Sequence, residues 1–207
     1  MKVTRKRHRK RHNKTKTKRH NKTKTKRHTK CRAGGSKIYT NYGKIEKLNE
    51  CHKGTEIFRK MTNNVLELEI SKIIMENPHK NIVTIYKIVE PKDAADKNGY
   101  IDMELLNTDI SKYNKNEIKE KMKDVKKHLQ GLGIMYIDWK PDNIGLGDGE
   151  LKLFDFDVSG LVNKDQKEHW VEKGTPRKFW AYQNALLDNK DKTPLEIDNY
   201  AFDHGLK

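Results

Sequence analysis

The stretch YIDWKPDNIGLGDGELKLFDFD, residues 136–157, constrains the fold more than any other part of the chain. Apolar and other residues alternate over Ile144–Leu146 and Leu151–Phe154, on either side of Gly147-Asp148-Gly149-Glu150. Two alternating runs around a Gly/Asp turn predict a β-hairpin. If Leu146 opposes Leu151, Asn143 opposes Phe154, and Asn143 and Asp155 meet at the open end of the hairpin. Asp138 stands five residues before Asn143, across a loop stiffened by Pro141.

That register gathers two carboxylates and an amide oxygen. All are hard oxygen donors, the kind Mg²⁺ takes in small number while keeping places for phosphate and water. Lys140 adds a positive charge on the same loop. The chemistry implied is phosphoryl transfer, in which metal and Lys neutralise charge and an Asp orients the nucleophile. Each piece alone is ordinary, since a lone loop Asp is usually a turn former. The joint pattern D-x-K-P-x-N, hairpin, D-F carries the reading.

Charge divides the chain in two. Residues 1–32 carry 17 of the 45 Lys/Arg and none of the 29 Asp/Glu, which leaves the remainder with 28 bases against 29 acids. The formal excess of +16 therefore belongs to the leader, and the rest is near neutral. The leader is also a repeat: RHNKTKTK stands at 11–18 and again at 19–26, and RHTK begins a third copy. A segment this charged and this poor in apolar residues is expected to be a disordered tail, residues 1–35. Three roles stay open for it: an arm for nucleic acid or another polyanion, a nuclear-localisation patch, or a solvated leader. It holds no aromatic residue to stack on bases, so binding through it is expected to be sequence-blind and salt-sensitive.

Two cysteines, Cys31 and Cys51, are too few for a disulfide framework and point to a reducing, intracellular setting. No apolar run approaches the roughly 18 residues that a membrane span needs.

Within the body, IFRKM at 57–61 reads as a strand after the turn signal Lys53-Gly54-Thr55. Residues 63–77 read as a helix with Leu66, Ile70, Ile73 and Ile74 as its apolar stripe. Glu69 falls between Leu66 and Ile73 on that stripe, where a carboxylate needs a partner. Residues 81–90 and 100–106 read as an antiparallel strand pair. Residues 116–130 read as a helix, with Ile118, Met122, Val125 and Leu129 recurring at helical spacing.

These segments, in this order, resemble the eukaryotic-type protein kinases over roughly residues 42–205. YIDWKPDN is similar to the catalytic loop, DFD at 155–157 to the metal-binding DFG, and LQGLGI at 129–134 to the helix end leading into the loop. EISKIIMENPHKNIV, from Glu69, is similar to the N-lobe helix running into the fourth strand, and GTP at 174–176 to the end of an activation segment. DNYAFDHG at 198–205 resembles a C-lobe helix whose first Asp holds the catalytic loop. The resemblance implies an α+β, two-lobed kinase-like fold: an N-lobe over 36–106 and a shortened C-lobe over 107–207.

It also implies roles. Asp138 receives the proton of an acceptor hydroxyl, and Lys140, in the serine/threonine-type position, neutralises the transferring phosphoryl. Asn143 and Asp155 hold Mg²⁺. Lys60 meets the α/β-phosphates of ATP and is held by Glu69. Met103 is the gatekeeper, Glu104 and Leu106 offer backbone groups to adenine, and Gly43 ends the glycine loop. The implied activity is transfer of the γ-phosphoryl of Mg-ATP to a protein hydroxyl; the alternative is a pseudokinase, a nucleotide-binding scaffold.

Departures from the family pattern accompany the match. Ile38 and Thr40 stand at the first two glycine-loop positions, and Phe58 stands where a small residue lies over adenine. Asp157 replaces the Gly of DFG, Ile137 replaces the Arg before the catalytic Asp, and Ala181-Tyr182-Gln183 stands at the APE position. Richness in Lys, Asn and Ile with a reduced core and a basic leader resembles the small kinase-like proteins of large DNA viruses.

Overall fold

A computed structural model describes residues 37–40, 45–47, 56–92 and 99–206, with the backbone alone for Lys37 and 45–47. The basic repeat and Gly43 lie outside the described residues. The described residues belong to one compact unit.

Five strands come first and build a mixed sheet: β1 (Lys37–Thr40), β2 (Ile45–Lys47), β3 (Ile57–Met61), β4 (Ile85–Val89) and β5 (Tyr100–Glu104), in the order β2-β1-β3-β5-β4. β1 runs parallel to β3, and the other pairs are antiparallel. Between β3 and β4 lies helix α1 (Val65–Glu76). After β5 come α2 (Lys115–Gly131), β6 (Ile134–Met135), the hairpin β7 (Ile144–Gly147) and β8 (Glu150–Leu153), β9 (Gly160–Leu161), α3 (Trp180–Leu187) and α4 (Pro194–Gly205). The α+β expectation holds, and the strand at 57–61 and both predicted helices stand within a residue or two of their expected ends. Among the described residues, no helix is long and apolar enough to cross a membrane.

Local chemistry sets the helix ends. Asn114 and Glu117 exchange side-chain and backbone hydrogen bonds at the start of α2, and Thr193 and Glu196 do the same for α4, where Pro194 follows the cap. Each such capping box satisfies donors the first turn leaves unpaired. Ile118, Met122, Val125 and Leu129 are all buried along one face of α2, as their spacing predicts.

The hairpin has the predicted register. Leu146 pairs with Leu151, and Ile144 with Leu153; beyond the ladder, the Phe154 N–H donates to the Asn143 carbonyl at 3.0 Å. Asp148 (φ 51°) and Gly149 (φ 81°) both take positive φ in the two-residue turn, the conformation that matches strand twist.

The strand expected over 81–90 begins only at Ile85. Residues 81–83 are held by the hairpin instead. Leu153 N–H donates to the Asn81 carbonyl at 2.9 Å, Val83 N–H donates to the Leu153 carbonyl at 2.9 Å, and the Asn81 amide donates to the Leu151 carbonyl at 2.8 Å. Similarly, the segment after β5 leaves the sheet and pairs with β7: Asn107 and Leu146 exchange backbone hydrogen bonds at 3.0 and 2.8 Å.

A buried ion pair reinforces that junction. Lys152 Nζ donates to both oxygens of Glu104, at 2.8 and 2.6 Å, with less than a tenth of either side chain exposed. Gly147 makes room for it, since a Cβ there would lie 2.0 Å from Glu104 Oε1. Removing one partner of a buried pair strands the other charge. Lys152→Met is therefore expected to cost about 3–5 kcal/mol in chemical denaturation, and adding Glu104→Gln to it to restore much of that loss. Equal destabilisation by the single and double variants would contradict this account.

Candidate functional site

The site grows from the hairpin's open end. Asn143 is buried, and its amide donates to the Asp138 carbonyl at 3.0 Å and to Asp138 Oδ2 at 2.8 Å. With its nitrogen so committed, the Asn143 side chain has its carbonyl oxygen left to offer a cation. Lys140 Nζ donates to Asp138 Oδ2 at 2.7 Å. Burial works against the charge of Lys140, but the bond and charge of Asp138 outweigh it and raise the ammonium above its ordinary value. Asp138, Lys140 and Asn143 thus form one bonded set, as the spacing predicts.

The backbone of this set is held in an uncommon shape. Ile137 takes φ 67° and Asp155 takes φ 64°, in the left-handed region that side chains rarely adopt. Around Ile137 the conformation is fixed from below. Asp198, buried in α4, accepts from the Ile137 N–H at 3.0 Å, from Trp139 Nε1 at 2.8 Å and from Gln130 Nε2 at 2.8 Å. Tyr136, fully buried, donates its hydroxyl to the Phe154 carbonyl at 2.6 Å and lies edge-on to Phe156. The two halves of the site are thereby tied together just before Asp155.

β3 supplies the cation facing Asp155. Successive residues of a strand point to opposite faces. Arg59 pairs with Asp102 at 2.6 Å and lies over the Tyr100 ring, while Lys60 points the other way and bonds Asp155 and Glu67. The Lys60–Glu67 bond is 2.6 Å. Burial opposes the charge on Lys60, but Glu67, Asp155 and Asp157 together hold it above its ordinary value.

Here the sequence expectation is corrected: the helix partner of Lys60 is Glu67, and Glu69 is exposed. α1 buries Leu66, Glu67, Leu68, Ile70, Ser71 and Ile74, a face centred on the line Glu67–Ser71–Ile74, with Ile73 at its margin. At 100° per residue this rotates the inward face away from Glu69. Ser71, buried but polar, hides this face from a pattern of hydrophobic residues. Thr62 confirms the assignment by donating its hydroxyl to Glu67 Oε2 at 2.8 Å.

Asn64 escaped the sequence reading, and Asp157, noted there as a departure, has a partner in it. Asn64, at the N-cap of α1, makes no capping bond with its side chain and donates its amide to the Asp157 carbonyl at 3.0 Å. Asp157 itself sits among carboxylates. Burial raises its pKa to about 6, Lys60 opposes the shift, and Asp155, Glu67 and Asp138 add to it.

A cavity of about 340 Å³ is lined by Phe58, Val83, Met103, Glu104, Leu105, Leu106, Thr108 and Phe154, the last of these next in the chain to Asp155. Met103, Glu104 and Leu106 therefore lie together, as expected. Phe58 pairs with Met103 across β3 and β5 and shares a strand face with Lys60, so the apolar cavity leads toward the Lys60–Asp155 pair. The Glu104 carboxylate is spent on Lys152 and its N–H donates to the Thr84 carbonyl at 2.9 Å, which leaves its backbone carbonyl as what it can offer to a ligand.

The sequence model of one family, described as the protein kinase domain, matches residues 42–194. No curated protein matches the chain.

The raised pKa of Asp157 gives a pH dependence with a definite sign. Between the ordinary value of 3.8 and about 6 the folded chain holds a proton that the unfolded chain has released. Stability contributed by this group therefore falls as pH rises through that window. Because the carboxyl is partly solvated, the loss is about 1 kcal/mol, well under the value for a full two-unit shift. Asp157→Asn is expected to remove that slope and to raise the melting temperature at pH 7.5 in the metal-free protein. A slope unchanged in the variant would contradict the assignment.

Proposed function

The chain belongs to the protein kinase domain family, and from that premise we propose that it transfers the γ-phosphoryl of ATP to a serine or threonine hydroxyl of a protein. The observation that carries the reading is the bonded set Asp138–Lys140–Asn143 facing the Lys60–Asp155–Glu67 set.

In this reading Asp138 orients the acceptor hydroxyl and takes its proton as the oxygen bonds to the γ-phosphorus. The bond from that phosphorus to the bridging oxygen breaks, and ADP leaves. Lys140, already paired with Asp138, turns its charge to the phosphoryl oxygens. Lys60 meets the α/β-phosphates, and Glu67 and Thr62 keep its ammonium aimed. The base occupies the apolar cavity between Phe58, Met103 and Phe154, with backbone groups of Glu104 and Leu106 at its edge. The donor set fits Mg²⁺: the Asp155 carboxylate and the Asn143 carbonyl oxygen are hard ligands, few in number, with the Asn143 nitrogen turned away. When bound, the ion neutralises charge that develops on the phosphates.

The serine/threonine preference rests on Lys140, two residues after Asp138. Residues 1–32, with 17 Lys/Arg, supply a separate contact to nucleic acid or another polyanion, weakening as salt rises. A second reading, a nucleotide-binding scaffold without transfer, is favoured by one observation. The Phe58 ring borders the base cavity and narrows it.

Labelled Mg-ATP with a generic basic protein decides between them. Asp138→Asn is expected to lower kcat by about 10²–10⁴-fold, the range for loss of a general base. Asp155→Asn is expected to abolish transfer and Mg²⁺ dependence together. ATP binding without transfer by the folded wild-type chain would favour the scaffold.

The correction on α1 is testable in the same assay. Glu67→Gln is expected to raise the KM for ATP and lower kcat/KM by at least about tenfold, as loss of an orienting charge pair does. Glu69→Gln is expected to stay within about twofold of wild type, as substitutions of solvated groups do. The reverse order would restore Glu69 as the partner.

A further inference from the structure

The turn that joins α1 to β4 is closed by a titratable atom. The Asn81 N–H donates to His79 Nδ1 at 3.1 Å. Elsewhere the chain closes the same turn, side chain i to backbone i+2, with an oxygen. Asn107 accepts from the Asp109 N–H at 3.0 Å, Asp109 from Ser111 at 3.1 Å and Asn163 from Asp165 at 3.0 Å. Amide and carboxylate oxygens accept throughout the neutral range. An imidazole nitrogen accepts only while it carries no proton.

His79 also meets the last turn of α2. Its ring centroid lies 4.9 Å from that of His128, with the rings tilted by 37°. Nε2 of His128 lies 3.1 Å from the Asn77 carbonyl, and a carbonyl only accepts, so the bond assigns the His128 proton to Nε2. By the same rule His79, which accepts at Nδ1, carries its proton on Nε2. The two rings then answer acid differently. A second proton on His128 goes to Nδ1 and leaves the Asn77 bond in place. A second proton on His79 has only Nδ1 to take, and there it meets the Asn81 N–H head-on.

The groups facing His79 are Asp124 and His128 from α2 and Lys80 from its own turn. Burial, His128 and Lys80 hold the imidazole below its ordinary value of 6.5, and Asp124 opposes them. On the β8 side, Glu150 lies 3.4 Å from the Asn81 amide, with Lys121 at 4.0 Å from Glu150. Asn81 is also the residue that fastens this turn to the hairpin. Its carbonyl accepts from Leu153 at 2.9 Å, and its amide donates to the Leu151 carbonyl at 2.8 Å. Asp155 follows Leu153 by two residues.

We propose that the His79–Asn81 bond is a proton-sensitive latch: a proton on His79 Nδ1 opens the α1–β4 turn and loosens the Asn81 contacts to β8, the strand that leads to Asp155. The latch stands whether or not the chain transfers phosphate. Its sign is definite. In the window just below pH 6.5 the unfolded chain holds a proton that the folded chain lacks, so the stability it contributes is present at neutral pH and falls as pH drops. Asp157 works in the opposite direction, and a variant at His79 leaves that carboxyl untouched.

Hydrogen exchange read by mass spectrometry on the full chain, corrected for the intrinsic effect of pH on exchange, tests this. The latch is read at Val83 and Leu153, whose N–H groups bond across the junction. Between about pH 7.5 and about pH 5 the wild type is expected to speed up there at least about fivefold, the factor for loss of one ordinary hydrogen bond. His79→Asn supplies an acceptor oxygen that does not titrate and is expected to abolish the change. His128→Gln keeps an amide donor for the Asn77 carbonyl and removes a group that holds His79 down, so the transition is expected to move to higher pH. The buried residues of α4, Ile197 to Phe202, are expected to stay protected throughout. A flat wild-type profile, or a transition that survives in His79→Asn, overturns the latch. Equal loosening of α4 assigns the change to the whole fold and overturns it as well. Should His79→Asn not fold, the imidazole C–H resonance of His79 in the wild type replaces it: a midpoint shared with the exchange transition supports the latch, and a different midpoint overturns it.

Discussion

The Ile137–Lys140 loop depends on one buried carboxylate. Asp198 accepts from the backbone of Ile137, the indole of Trp139 and the amide of Gln130. These bonds join α4, α2 and the loop between β6 and β7. Burial raises the pKa of Asp198, and the three donors work in the opposite direction. The geometry they impose includes a β-branched residue at positive φ, which a free loop would not hold. The loop is then not a flexible connection that carries Asp138. It is a piece of backbone bent over an anchor, and the anchor lies on the last helix described.

A second support comes from the hairpin. The segment after β5 lies along β7 through the Asn107–Leu146 bonds, and Lys152 fixes Glu104 beneath it. Close approach here is possible because β7 carries glycine at 145 and 147, each with Leu106 within contact distance of where a Cβ would be. The cavity bordered by Met103 and Phe154 is therefore built on the same hairpin that presents Asn143 and Asp155. Base and phosphate ends of a ligand would be gauged by one two-stranded element. Its register was legible from Leu146 and Leu151 alone.

Legibility in the sequence followed the range of the interaction. The hairpin, both helices and the strand at 57–61 are local patterns, and Asp138, Lys140, Asn143 and Asp155 come with them because they stand on or beside a short element of fixed register. Glu67 was missed because α1 buries Ser71 in place of a hydrophobe, which turns the apparent stripe toward Glu69. The tight contact of Lys152 with Glu104 spans 48 residues and leaves no periodic mark. The late start of β4 has the same cause: Asn81 and Val83 bond to β8, and no local propensity encodes a partner so far along the chain.

The bond from the Asn64 amide to the Asp157 carbonyl carries a consequence for motion. Glu67 is on the first turn of α1, Asp155 is two residues before Asp157, and Lys60 bonds both carboxylates. The start of the helix and the DFD segment are thus closed into a ring by one amide and one ammonium. A ring of this kind removes a degree of freedom, because the helix cannot swing outward while the segment stays in place. Displacement of either becomes displacement of both. This closed loop of bonds brings the two elements into register at the same moment.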